Sequence, residues 1–377
     1  MKPLPRSLSD AYSSLRRRFG KPPQVCLADD PSVREKALRV QEAGTLEFDN
    51  SADFRMGGVP LEKLPYSWPE NHLFRMRNAF VAGDQGFVFL EDGRVFEPSF
   101  RPYRIDQIKL RYPWPVTKKI PGGPVLHLTG NNHENRGHYM QDHLPRLLAA
   151  ERALGSLQGL RVLVAPGHRR WQVNFLKPLG IPEENILEGS HSATCVEDLL
   201  FVPITASPAG FADPELYRIF QKRMQPQAAG YDLKPRVLFL SRRDAPDRRL
   251  SNETELLDIT RKMLGETDVA VLSKLKLPQQ IAAYSAADII ISPTGQAVTN
   301  VLMVNGKKVA VLLPGDRETA YEKWAYSFLS FLGGNTPMMF YANTPVRETR
   351  PIEWEFPSAR YRELLQRGLD LQLFDPA

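Results

Sequence analysis

Four of the chain's seven histidines, His127, His133, His138 and His143, fall within seventeen positions. With Asp142 among them, His133, His138 and His143 could all bind a metal ion. The spacing argues against that. His138 and His143 are five apart and do not share a helix face, and no HExxH pattern is present. His138 and Asp142 are four apart and can share one, with Arg146 a turn further on. A histidine beside a carboxylate at a loop–helix junction can work as a general base. Taken by itself, the pair reads as a capping carboxylate and a surface histidine, and Pro145 is positioned to kink the helix that carries it. A second concentration lies at Ser241-Arg242-Arg243-Asp244-Ala245-Pro246-Asp247-Arg248-Arg249, with four arginines in eight positions. Their forks suit phosphate oxygens, whereas the alternative is a solvated run paired with Asp244, Asp247 and Glu253. A third is Ser292-Pro293-Thr294-Gly295-Gln296, a turn around which Thr299 and Asn300 also crowd.

The elements that must position these residues follow from periodicity. Val125–Leu128 reads as a strand that ends at the histidine loop, and a helix opens near His138. Arg236–Leu240 is a strand running straight into the arginines, followed by a capped helix start at Leu250–Leu257. Asp288–Ile291 is a doubly buried strand that stops at the Gly295 turn, with a helix resuming at Ala297. Strand, glycine turn and helix start form the arrangement that offers free N–H groups to an anion. Elsewhere, Phe80–Phe96 reads as a hairpin meander within a β-layer, and Leu160–Ala165, Asn185–Leu187 and Leu199–Val202 read as further strands. Strands alternating with helices predict a doubly wound parallel sheet. A final amphipathic helix spans Ala359–Leu373.

At 377 residues, 42% hydrophobic and 24% charged, the chain reads as an ordinary globular protein of two domains. The break is expected at Gln225–Gly230. A net charge of +6 suits an anionic ligand or membrane surface without demanding nucleic acid. Cys26 and Cys195 lie far apart and predict free thiols in a reducing compartment. No apolar run approaches the length that spans a bilayer, and the first residues lack a secretory h-region, so the expected location is cytoplasmic. Leu8, Tyr12, Leu15 and Phe19 beside Arg16–Arg18 make a basic amphipathic turn, which can pack on its own domain or touch an anionic membrane.

Taken in order, the blocks RNAFVAGDQGFVFLEDGRVFEPS, GHYMQDHLPRLLAAERAL, LFLSRRDAPDRRLSNETEL and AADIIISPTGQAVTNVLMVNGKKVAVLLP resemble glycosyltransferase family 61, which includes bacterial capsular polysaccharide biosynthesis proteins. The resemblance runs from about Arg77 to Pro314. It implies an α/β protein of GT-B type, with two Rossmann-like lobes facing a cleft and a β-rich N-terminal segment. It further implies an inverting transfer of a hexosyl or pentosyl group from a nucleotide sugar to a glycan or lipid-linked saccharide, without a metal or other cofactor. The expected parts are a basic arm over 1–24 and an acceptor-side lobe over 25–225, with its β-layer at 45–110. A donor lobe over 231–350 and a helix over 351–377, returning to the N-terminal lobe, complete them. Asp142 or His138 would be the base, with His133 and Arg146 on the acceptor side. Arg242, Arg243, Arg248, Asn252, Glu253, Thr294, Gly295, Gln296, Thr299 and Asn300 would hold the donor. One departure stands out: the family's histidine before the block's first glycine is here Thr294. Other classes compatible with the sequence are a non-catalytic sugar- or nucleotide-binding relative and a peripheral membrane interaction protein, and weak membrane contact is compatible with the enzyme as well.

Overall fold

In a computed structural model, the residues described are 24–46, 66–99, 116–130, 132–204, 212–230, 236–315, 323–343 and 353–374. The expected basic arm and parts of the expected β-layer, at 47–65 and 100–110, lie outside them. The chain is α/β and divides into two compact units, the first ending at Leu216 and the second starting, in the main, at Tyr217. The expected break at Gln225–Gly230 comes a few residues later; Gln225–Ala228 is a 3-10 turn.

The first unit is built on a ten-stranded mixed sheet. Its strands are β1 (Val25–Cys26), β2 (Leu38–Gln41), β3 (Asn71–Ala82), β4 (Phe87–Phe89), β5 (Val95–Phe96), β6 (Val116–Ile120), β7 (Val125–His127), β8 (Arg161–Val164), β9 (Ile186–Glu188) and β10 (Ala193–Phe201). They run in the order β1-β5-β4-β3-β10-β7-β8-β9, with β2 on β3 and β6 on β10. The expectation of a parallel doubly wound sheet behind a separate β-layer is corrected here. β10 pairs antiparallel with β3 and parallel with β7, joining meander and α/β strands into one sheet. The reason is length. β10 runs nine residues, long enough to reach both partners, where only its last three, Leu199–Phe201, fall within the stretch that reads as a strand in isolation. Phe74, Phe96, Val125, Leu163, Val196 and Phe201 form the core on one face. Helices α1 (Leu144–Leu154) and α2 (Arg169–Leu176) complete the unit around the histidine loop.

The second unit holds a five-stranded, all-parallel sheet. Its strands are β11 (Val237–Leu240), β12 (Thr267–Ala270), β13 (Ile289–Pro293), β14 (Lys308–Leu313) and β15 (Thr336–Tyr341), in the order β12-β11-β13-β14-β15. The central strands are buried from end to end apart from Lys308, where β14 begins, as their near-continuous apolar runs require. Helices α3 (Glu253–Leu264) and α4 (Leu277–Ala286) follow β11 and β12. The last helix, α5 (Ser358–Asp370), was expected to return to the N-terminal lobe. Its apolar face instead belongs to the second unit's core: Tyr361, Leu364 and Leu365 pack with Leu256, Leu257 and Phe340, and the Tyr361 hydroxyl lies 2.7 Å from Thr260 Oγ1. An apolar stripe settles on the nearest complementary surface, and α3 presents one. Among the described residues no helix is long and apolar enough to cross a membrane.

Candidate functional site

In the first unit, the loop after β7 is closed by Asn135, whose side-chain oxygen accepts from the N–H groups of Gly137 and His138. The chain then passes through a short helix (Arg136–His138) into a π-helical turn (Tyr139–His143) before α1. Pro145 explains this turn. It has no N–H to give Gln141, and its ring would crowd that carbonyl in a regular α-helix. Leu144 N–H instead reaches five residues back, to Tyr139 O. Within the widened turn, His138 Nδ1 donates to Asp142 Oδ2 at 2.8 Å. The His138 side chain is 41% exposed and that of Asp142 only 9%. Asp142 Oδ1 is buried with no hydrogen-bond partner, and no described residue takes His138 Nε2. The hydrogen bond to Asp142 raises the proton affinity of His138 despite burial, and burial raises that of Asp142.

Arg146 anchors this turn from behind. It is buried and donates to Val202 O (2.6 Å), Thr129 O (3.0 Å), His127 Nδ1 (3.0 Å) and His143 Nδ1 (3.3 Å), with its guanidinium over the Phe201 ring. No carboxylate bonds to it, and burial pushes its pKa down to about 9. The other nitrogen of His127, Nε2, meets Gly86 O at 2.8 Å, which assigns it the proton and leaves Nδ1 to accept from Arg146. Burial, then the Arg146 charge, holds His127 well below the usual histidine range. Gly86 has φ +67, and a Cβ there would lie 2.6 Å from Thr129 and 2.9 Å from His127 Nε2. The expectation that Arg146 and His133 face an acceptor is therefore corrected. Arg146 is consumed by internal bonds, and His133 is buried, with Nδ1 2.6 Å from Gly130 O and its ring against His168. The roles of His127, His143 and Gly86 were not read from the sequence. Nothing in the spacing links a meander glycine to a histidine 41 residues on.

In the second unit, β11 and β13 are neighbours whose following helices lead to opposite sides in strand order, β12 one way and β14 the other. Such a switch point is where open parallel sheets bind ligands, outside the carboxyl ends of the strands. The arginine loop leaves β11 there, and the Gly295 turn leaves β13. The two meet: a Cβ on Gly295, whose φ is +145, would stand 2.0 Å from Arg242 Nη1. Arg242 is held by Asp247 O (2.8 Å) and Arg248 O (3.2 Å), and Arg248 takes a left-handed backbone, φ +58. Glu253 is buried under the loop, accepting from Ser241 Oγ (2.6 Å) and Arg242 N–H (2.9 Å) and pairing with Arg243 Nε (2.8 Å). Gln296 is exposed at the start of a 3-10 helix, Gln296–Met303, where a regular helix was expected.

Several of the residues expected to touch a donor are instead built into the scaffold. Asn252 spends both ends of its amide on Phe356. Thr294 is fully buried and donates to the Tyr326 hydroxyl at 3.2 Å. Asn300 donates to Gln280 Oε1, and Thr299 is buried. Small polar side chains around a buried turn satisfy neighbours before they can face solvent. Arg242, Arg243, Arg248, Gly295 and Gln296 remain at the surface of the switch point or border it. Among the described residues no cluster of three or more His, Cys, Asp or Glu could hold a metal ion.

The second unit thus sets Arg242 against the Gly295 turn, and the first holds a hydrogen-bonded histidine–carboxylate pair. The glycosyltransferase 61 family model matches residues 137–311, from the glycine before His138 to the middle of β14. Over that segment, somewhat under half of its length, the chain is similar to glycosyltransferase family 61, the family that the ordered motifs resemble. No curated protein matches it.

Proposed function

We propose that the protein is an inverting glycosyltransferase of GT-B architecture that works without a metal. It would pass a hexosyl or pentosyl group from a nucleotide sugar to a glycan or lipid-linked saccharide in surface or capsular polysaccharide synthesis, at the cytoplasmic side of a membrane. The observation carrying this reading is the Arg242 guanidinium seated against Gly295 at the switch point of a parallel sheet. A diphosphate needs such a fixed cation and close backbone approach. Arg243 and Arg248 border the same place and add charge that would stabilise the leaving nucleoside diphosphate.

The other half of the chemistry is proton removal. The acceptor hydroxyl attacks the anomeric carbon from the face opposite the phosphate. The bond from that carbon to the phosphate oxygen breaks, and its electron pair leaves with the nucleotide. The hydroxyl proton goes to His138 Nε2, the more exposed member of the pair, while Asp142 holds Nδ1 and stabilises the imidazolium. Inversion requires one base, and this pair supplies one.

The test is transfer or donor hydrolysis by purified protein against a panel of nucleotide sugars. Asp142→Asn should lower turnover by about 10²–10⁴ and His138→Gln should abolish it, both leaving donor binding intact. Turnover within a few-fold of the parent in both would remove the pair from the mechanism. The Thr294 departure motivates a second reading, a donor-binding relative without catalysis, and binding without any turnover of the panel would favour it.

A further inference from the structure

A cavity of about 830 Å³ opens in the first unit, away from the His138 turn, where α1 ends at Leu154. Its origin is a gap along one edge of β3. β2 pairs with that edge at Asn71–Leu73 and β4 at Phe80–Ala82. Between them, among the described residues, no strand covers Phe74–Ala79, and Asn78 takes a left-handed φ of +49. The floor is apolar: Leu73, Met76, Leu90, Leu154 and Leu200. The volume lies within the range of small-molecule sites, roughly 300–1,000 Å³.

The rim carries four cations, Lys36, Arg75, Arg77 and Arg94, against two carboxylates, Glu91 and Asp92, and is held in place. Arg75 gives Nε and Nη2 to the two oxygens of Asp198, at 2.8 and 2.6 Å, and Arg77 Nη1 approaches the same carboxylate at 3.4 Å. Asp198 is buried, whereas the two arginine side chains are 50% and 62% exposed. One carboxylate thus fixes two guanidiniums and neutralises one. Arg75 Nη1, Arg77 Nη2 and Lys36 Nζ have no partner among the described residues. The other charges on the wall are already engaged: Arg94 with Asp30 and Asp92, and Glu91 with the Asn78 amide. An apolar floor beneath unspent, preorganised donors fits an anion with a hydrocarbon body.

We infer that this cavity binds a single-chain anionic amphiphile, with its phosphate on Arg77, Arg75 and Lys36 and its chain along Leu73, Leu154 and Leu200. The site is separate from the proposed transfer chemistry, and its test does not depend on turnover. Dodecyl phosphate, dodecyl maltoside and inorganic phosphate are titrated calorimetrically into the full chain, each below its aggregation concentration. Dodecyl phosphate should bind one per chain, at least about tenfold more tightly than either of the others, since a charge-assisted contact and a buried chain each contribute at least that factor. Arg77→Glu and Leu154→Asp, both at exposed positions, should each weaken it about tenfold or more while the circular dichroism spectrum stays that of the parent. Absence of saturable binding, equal affinity for the maltoside or for free phosphate, or indifference to both substitutions would overturn the assignment.

Discussion

His138 and Asp142 titrate as a pair, and the direction of each shift makes the proposed base testable by pH. Asp142 accepts the Nδ1 proton and thereby raises His138. The basic, neutral form of His138 therefore fills only above the ordinary histidine range, and kcat/KM should rise with pH through that raised value. Asp142→Asn removes the carboxylate, so the acid limb should move to lower pH while kcat falls by about 10²–10⁴. An unmoved limb in a pH–rate profile would place the base elsewhere. The same pairing affects stability with a definite sign. Because the folded value is raised, its contribution is full below the unfolded histidine pKa and is lost as pH rises through the folded one. Gly295 offers a second test. Any side chain there displaces Arg242 and must adopt a backbone that only glycine takes readily. Gly295→Ala should weaken nucleoside diphosphate binding by about tenfold or more and destabilise the fold by about 1–3 kcal/mol, as read by calorimetry and urea unfolding.

Between residue and fold stands the widened turn at Tyr139–His143, and a single proline accounts for it. Pro145→Ala restores an N–H that can bond Gln141 O, so the turn should tighten to a regular α-helix. Proline is tolerated near a helix start, so stability should change by no more than about 1 kcal/mol. The register of His138 against Asp142 would change, however. Turnover should fall at least about tenfold, and the His138 imidazole, followed by NMR, should titrate nearer its ordinary value. A variant with parental kinetics would show that the wide turn is incidental. The sequence announced much of this segment: the four-residue spacing of His138 and Asp142, the strand before them and the disruptive proline are local signals. It could not announce that Arg146 turns inward. That depends on carbonyls of Thr129 and Val202 and on His127, which lie on other elements and are brought together only by the sheet. Likewise, Asn252 and Thr294 carry side chains suited to a ligand, and only the neighbours at Phe356 and Tyr326 reveal that those groups are already satisfied.

For the whole molecule, what was legible was the alternation of strands and helices in the second unit, because its central strands are short, apolar and buried on both faces. The first unit was less legible. Its long β10 joins antiparallel and parallel partners, a choice made by non-local pairing that periodicity does not record. One measurement on the intact chain addresses the proposed division of labour. A ligand that binds the folded state alone stabilises it by about 2.7 kcal/mol at a hundredfold excess over its Kd. For a unit of under 200 residues, the size of the one that carries Arg242, that raises Tm by several degrees, roughly 2–4 °C per kcal/mol. A screen of nucleoside diphosphates and nucleotide sugars should therefore find one base whose compounds shift Tm. Arg242→Ala should abolish that shift. Asp142→Asn should retain it, because the proposed mechanism gives the carboxylate to proton transfer and not to the diphosphate. The opposite pattern, with the shift lost in Asp142→Asn and kept in Arg242→Ala, would reverse the roles assigned to the two units.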